Sequence, residues 1–301
     1  MIVDLLQNTL DGLALGAAYA LLALGFTLIF GVLRRANLSY GPAILFGAYC
    51  ATWAFLRFEA GLLVLAVLTL VGTVLAGAYV ERLCFAPHSR LAPGASEPAR
   101  AAVIASMVAS FALWMQIEEV VTLWLPKHLY AFPALHEGAP LAFAGLTLRI
   151  DALYMLAAAL ATGAGLWSVL YRTRFGLAVR AMIQSQAAAE LSGIDTRAVS
   201  IRVFALASAM GAIAGFLISA SAEQVTPMLG MWSTLKGMLA MMLGGLGSLP
   251  GAIVGGLVLG LLEVHAQWFL GPQYRDLIAY ALLFGLLALR PAGLWARARE
   301  A

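Results

Sequence analysis

The chain has 301 residues, 62% of them hydrophobic and 11% charged, with a formal net charge of +3 and a mean hydropathy of +0.91. A soluble domain carries about 45 to 50% apolar and about 25% charged residues, so a water-soluble globular protein is excluded. The composition predicts an all-α, polytopic integral membrane protein with one transmembrane domain over 1–301.

A hydrocarbon core of about 30 Å needs about 20 apolar residues per helix. Uncharged runs of that order cover 12–33, 38–56, 60–80, 101–117, 152–171, 203–222 and 237–262. A shorter run, 277–289, is extended if Arg290 snorkels to the interface. The expected total is eight to nine transmembrane helices, including interrupted or re-entrant segments. Residues 1–11 lack the positively charged n-region of a secretory signal, so the first span is expected to be retained.

Between the first two spans the chain reads "NLSYGPAILFGA" (37–48). Pro42 interrupts a helix there, and Asn37 is placed to cap the piece that follows. Cys50 lies inside the second span and Cys84 just beyond the third. Their spacing suits no metal, so both read as small buried hydrophobes, and no metal or cofactor is expected. The Pro- and Gly-rich stretch 82–100 reads as an inner connection without chemistry of its own. The outer loop, 126–150, alternates apolar positions among Pro and Gly, which suits a small surface hairpin able to receive an extracytoplasmic partner; a plain connector is the alternative.

The longest polar inner segment is 172–202. Its middle, from Arg180 to Leu191, is rich in helix formers and stops at Gly193, where glycine takes a left-handed C-cap. A helix of about three turns is expected outside the membrane, showing alanine and leucine to a groove on a soluble partner. An interfacial helix lying on lipid is disfavoured by the absence of aromatics and by the many alanines after Met182.

The last long run is the most unusual. From Gly237 to Leu262 it carries no charge and eight glycines, with "GSLPG" (247–251) inside it. Proline cannot donate the backbone bond a helix interior needs, so two half-helices are expected, with a glycine hairpin between two short spans as the alternative. Gly251 with Gly255 and Gly256 with Gly260 repeat the small-xxx-small spacing of closely packed helices. Pro42 and Pro250 are each followed five residues later by glycine, Gly47 and Gly255, and matched interrupted segments in two halves are a transporter pattern. Glu118, Glu119, Lys236, Glu263 and His265 all fall near predicted span ends and read as interfacial anchors. With the N-terminus outside and the C-terminus cytoplasmic, 13 of the 18 Lys and Arg residues face inward, among them Arg34, Arg35, Arg90, Arg290, Arg297 and Arg299.

The stretches "GLALGAAYALLALGFTLIFGVLRRANLSYGPAILFGAY" (12–49) and "LKGMLAMMLGGLGSLPGAIVGGLVLG" (235–260) resemble the permease subunits of branched-chain amino acid ABC importers. "RTRFGLAVRAMIQSQAAAELSGID" (172–195) resembles that family's cytoplasmic coupling segment. The three motifs stand in the family's order and the resemblance spans nearly the whole chain. It implies a permease in the bacterial inner membrane, paired with a second permease subunit. It also implies two ABC ATPase subunits and a periplasmic solute-binding protein as partners. The substrate path falls on Asn37, Ser39, Tyr40, Gly41, Gly47, Gly244, Gly245, Gly247, Ser248, Gly251 and Gly255. Coupling to the ATPase falls on Arg180, Ala187, Ala188, Ala189, Glu190, Leu191 and Gly193. Two departures stand out: the family's usual Asn-Phe-Ala-His/Gln-Gly is here Asn37-Leu38-Ser39-Tyr40-Gly41, and Ser185 replaces a frequent acidic residue.

The sequence holds no Gly-x-x-x-x-Gly-Lys-Ser/Thr phosphate loop, so energy is expected from another subunit. A self-sufficient secondary transporter or channel is the alternative, and it requires a polar cluster deep in a span. A membrane enzyme fits poorly, since His88, His128, His136 and His265 fall in loops or near span ends.

Overall fold

A computed structural model describes residues 2–88, 97–127, 129–136, 141–143, 146–289 and 293. Arg90, Arg290, Arg297 and Arg299, on which the orientation draws, lie outside the described residues, as do His128 and part of the 82–100 connection.

Eleven helices follow one another among the described residues. They are α1 (Ile2–Leu33), α2 (Tyr40–Phe58), α3 (Leu62–Val80), α4 (Glu97–Trp124), α5 (Ile150–Arg172), α6 (Arg174–Gln184), α7 (Gln186–Leu191), α8 (Thr196–Ala222), α9 (Met228–Gly244), α10 (Leu249–Leu270) and α11 (Arg275–Leu289). Six of them (α1, α3, α4, α5, α8 and α10) are long and apolar enough to cross a membrane by themselves. The others that run through the bundle, α2 and α9, are 19 and 17 residues long and largely buried. α1 is the axis of the bundle, with Ala17 to Leu24 almost wholly buried. The outer helices instead turn large apolar side chains outward, such as Leu123, Leu160 and Phe284. That is the pattern of a protein whose solvent is hydrocarbon, where surface leucine costs nothing.

Small residues set how closely the central helices approach. Gly256 and Gly260 of α10 lie against Ala20 and Gly16 of α1, where an added Cβ meets backbone nitrogen at 2.4 and 2.3 Å. The other glycine face of α10 packs on α9: a Cβ on Gly255 comes within 2.2 Å of the Ala240 carbonyl oxygen. One helix thus uses its two glycine pairs on two different neighbours. With little hydrophobic drive between helices in lipid, such close packing supplies dispersion contacts across the whole seam.

At one end of the bundle the 126–150 loop forms a hairpin, β2 (Leu141–Phe143) antiparallel to β3 (Leu146–Leu148). Gln7 of α1 fastens it, its amide donating to the Thr147 carbonyl and accepting the Thr147 N–H, both at 2.9 Å. Beside it, β1 (Tyr130–Ala131) pairs with β4 (Gln224–Val225). The opposite end carries α6, α7 and the turn between α9 and α10.

That turn corrects the half-helix expectation. The chain is interrupted at Gly245–Ser248, but between two full arms, so the alternative reading, a hairpin, is the one realised. The reason is local: Gly245 and Gly247 take φ of 111° and 80°, which reverses the chain in four residues. Ser248 then caps α10, its Oγ accepting the Gly251 N–H at 3.2 Å. The turn lies level with the end of α1, Gly247 against Gly31, so this interruption falls at the bundle's end and not in its middle.

Candidate functional site

The interruption inside the bundle lies instead at the first motif. α1 ends at Leu33 and α2 begins at Tyr40, whose hydroxyl donates to the Ala207 carbonyl of α8 at 3.0 Å. The Gly41 N–H donates to Thr234 Oγ1 of α9 at 3.1 Å. Thr234 precedes the end of α9 by ten residues, so at 1.5 Å per residue Gly41 sits about 15 Å inside the α6–α7 end. Beyond the exposed Arg34, residues 35–39 therefore climb non-helically through protein interior. Non-helical backbone at such depth persists only where every polar group finds a partner. Asn37 Oδ1 accepts the Ser39 N–H at 3.1 Å, Leu38 N–H donates to Ser110 Oγ of α4 at 3.4 Å, and Ser39 Oγ donates to the Ser110 carbonyl. Asn37 thus serves the turn before α2 and makes no bond to the helix's own first amides.

Tyr40 fills a slot floored by two glycines. A Cβ on Gly25 or Gly211 comes within 1.9 or 2.8 Å of its hydroxyl oxygen, and its ring meets Phe26 edge-on at 4.6 Å. Gly41 and Gly47 admit α9 and α3 in the same way, with Thr234 and Thr73 hydroxyls at 2.3 and 2.1 Å from a hypothetical Cβ. Asn37, Ser39, Tyr40, Gly41 and Gly47 are all buried, while Gly244, Gly245, Gly247, Ser248, Gly251 and Gly255 gather around the α9–α10 turn. Among the described residues the first group lies inside the bundle and the second around the turn at its end. A cleft of about 390 Å³ between α2, α3 and α4 is lined by Phe46, Leu75, Tyr79, Gln116 and Val120 and includes none of them.

The polar segment becomes two helices. Ser185 separates them: its N–H closes α6 on the Ala181 carbonyl at 3.1 Å, and its Oγ accepts the Ala188 N–H at 3.2 Å to open α7. Gly193, at φ 81°, ends α7 in the expected left-handed cap, with Ile194 N–H donating to the Ala189 carbonyl at 3.0 Å. Ala189 is buried against the bundle; Ala187, Ala188 and Glu190 are exposed, and Leu191 is 91% exposed. Glu190 accepts from the Thr196 hydroxyl at 2.8 Å, tying α7 to α8. Arg180 places its guanidinium 5.0 Å over the Tyr171 ring.

Arg34 connects this segment to the interrupted backbone, donating from Nη2 to the Ile183 carbonyl at 3.0 Å. Arg35 is buried. It lines a water-sized cavity of about 10 Å³ with Glu81, Gln186 and Ser200.

The charged residues overturn the interfacial-anchor expectation for Lys236 and Glu263. These are 1% and 0% exposed and form an ion pair, joined by a second pair, Lys236 Nζ to Asp276 Oδ1 at 2.7 Å. Arg275 Nε donates to Glu263 Oε2 at 2.9 Å and its Nη2 to the Tyr19 hydroxyl at 3.0 Å, while Tyr19 donates to Glu263 at 2.8 Å. Trp232 lies 4.6 Å from the Lys236 ammonium and 5.6 Å from the Arg275 guanidinium. Two cations and two anions balance, so α1, α9, α10 and α11 share a neutral, closed network. The sequence held a sign of it: one cation and one anion stand in the two arms of the same hairpin.

Compared with known proteins, residues 8–287 match the family described as branched-chain amino acid transport system / permease component. The chain belongs to that family. The permease is 28% identical to the high-affinity branched-chain amino acid transport system permease protein LivH of Escherichia coli K12, over 97% of this chain and 96% of that protein. It is 27% identical to BraD of Pseudomonas aeruginosa, named for the same high-affinity system, with the same coverage. Among solved structures, an inward-facing metal-chelate type ABC transporter covers 95% of the permease, and the permease covers 85% of that chain, at a TM-score of 0.54 and 17% identity. The permease shares that fold.

Proposed function

We propose that the permease is the membrane-spanning subunit of an ABC importer and moves branched-chain amino acids, or related small amino acids and amides, across the bacterial inner membrane. Its N-terminus lies outside and its C-terminus in the cytoplasm. A second permease subunit completes the path and two ATPase subunits supply the energy, docking on the cytoplasmic α6–α7 segment between 172 and 202. A periplasmic solute-binding protein delivers solute at the hairpin end, residues 126–150. The observation that carries this reading is the outward leucine on α7, 91% exposed in a helix that buries Ala189 against the bundle. A leucine held that way on a capped helix is an anchor for a groove on a soluble partner. The path runs beside Asn37–Gly47 and the glycines of Gly244–Gly255, where the non-helical backbone and close helix contacts change register as the spans rock.

A self-sufficient secondary transporter is the second reading, favoured by the buried Lys236–Glu263 pair. Labelled leucine uptake into proteoliposomes separates the two. The permease with a partner permease, both ATPases and external binding protein is expected to accumulate leucine only with internal ATP. Accumulation by the permease alone, without ATP, would overturn the importer reading. In the full assembly Leu191→Asp is expected to lower uptake by about tenfold or more while thermal unfolding of the isolated permease stays unchanged. Wild-type uptake in that variant would remove α7 from the docking surface.

A further inference from the structure

We propose that residues 34–41 form the linkage that conveys movement of the α6–α7 segment into the bundle, with Arg34 as the positioning residue at its cytoplasmic end. The inference rests on the reading of α6–α7 as the ATPase contact.

Three observations carry it. First, Arg34 reaches out of the bundle to that segment: its guanidinium donates to the Ile183 carbonyl at 3.0 Å, in the last turn of α6. Helix ends leave such carbonyls without intrahelical partners, so the bond fastens the junction between α6 and α7 to the end of α1. Second, Arg34 holds φ of 52°, left-handed for a residue with a Cβ, while its N–H closes α1 on the Phe30 carbonyl at 2.8 Å. Strain of this kind persists where surrounding contacts over-determine it. Third, the stretch beyond Arg34 is tied to three further helices within a few residues. Leu38 and Ser39 bond Ser110 of α4, Tyr40 bonds Ala207 of α8, and Gly41 bonds Thr234 of α9.

A short buried stretch held at both ends cannot take up a displacement by fraying. If α6 moves relative to α1, either the Arg34 bond breaks or the shift passes along the stretch to Thr234 and α9. In sequence α9 joins α6–α7 only through α8, so this is a second, non-covalent route to α9. Coupling between distant sites runs through such contiguous bonded elements when they have discrete arrangements.

The test measures leucine moved and ATP hydrolysed together in the reconstituted full assembly, for wild type, Arg34→Met, Arg34→Gly and Arg34→Lys. Arg34 is exposed, so the variants are expected to assemble with the ATPases and to hydrolyse ATP. Arg34→Met and Arg34→Gly are expected to lower the leucine-to-ATP ratio by about tenfold, because both lose the donor to Ile183. The glycine variant also relieves the left-handed strain, so a loss there assigns the effect to the side chain. Arg34→Lys keeps a donor and is expected to retain most of the ratio, a rescue that a merely structural role does not predict. A wild-type ratio in assembled Arg34→Met overturns the linkage alone. Failure of the wild-type permease to assemble with any ATPase overturns the importer reading, and the linkage with it.

Discussion

Replacing Lys236 by methionine is expected to destabilise the folded permease by about 3 to 5 kcal/mol, the cost of breaking a buried ion pair from one side. The change leaves Glu263, fully buried, with Arg275 as its remaining cation, and strips Asp276 of its bond to the ammonium. Glu263 has no route to water, so it cannot recover its hydration. The double variant Lys236→Met with Glu263→Leu is expected to regain most of the loss, because Arg275 and Asp276 are partly exposed and rehydrate at the bundle's end. Thermal unfolding of the wild type, both single variants and the double variant in one detergent gives the coupling energy directly. Additive losses, or a Lys236→Met protein that melts with the wild type, would mean that these charges do not hold α9, α10 and α11 together.

A leucine at Gly256 is expected to prevent α1 and α10 from meeting. Overpacking typically costs 1 to 3 kcal/mol where side chains can yield. Here the first added carbon meets the Ala20 backbone, nitrogen at 2.4 Å and Cα at 2.5 Å, so the whole of α1 must move. The expected loss is about 3 kcal/mol or more, read as little folded protein in the membrane fraction. Gly165 on α5 is the matched control: a Cβ there meets nothing within 4 Å. Gly165→Leu is expected to be neutral or to stabilise by up to about 1 kcal/mol through helix propensity. Equal accumulation of the two variants would show that the α1–α10 seam tolerates a separation the structure does not have.

Legibility followed the range of the physics. Properties that depend on a residue and its near neighbours could be read from the chain: helix formers ending at Gly193, the hairpin before α5 and the small-xxx-small pair Gly256 and Gly260. Even there the local reading had limits. Ser185, met as a departure from a family pattern, is the cap that divides the polar segment into α6 and α7. Tyr40, another departure, occupies a slot made by Gly25 and Gly211, residues that come from α1 and α8.

The two interrupted motifs show most clearly where sequence stops. Both carry a proline with a glycine five residues on, yet one opens α2 inside the bundle and the other turns a hairpin at its end. What separates them is partners. Leu38, Ser39 and Gly41 find Ser110 and Thr234, so bare backbone survives in the interior, while Gly245 and Gly247 supply the positive φ for a reversal. The amino-acid sequence by itself determined the solvent, the helical class and the family, because hydropathy and local conformation are sums over neighbours. Only the tertiary structure decided that Lys236 meets Glu263, that Arg34 meets Ile183, and which glycine faces which helix. Those depend on residues far apart in the chain, and the cost of an unpaired charge or a backbone clash is defined only once the helices are side by side.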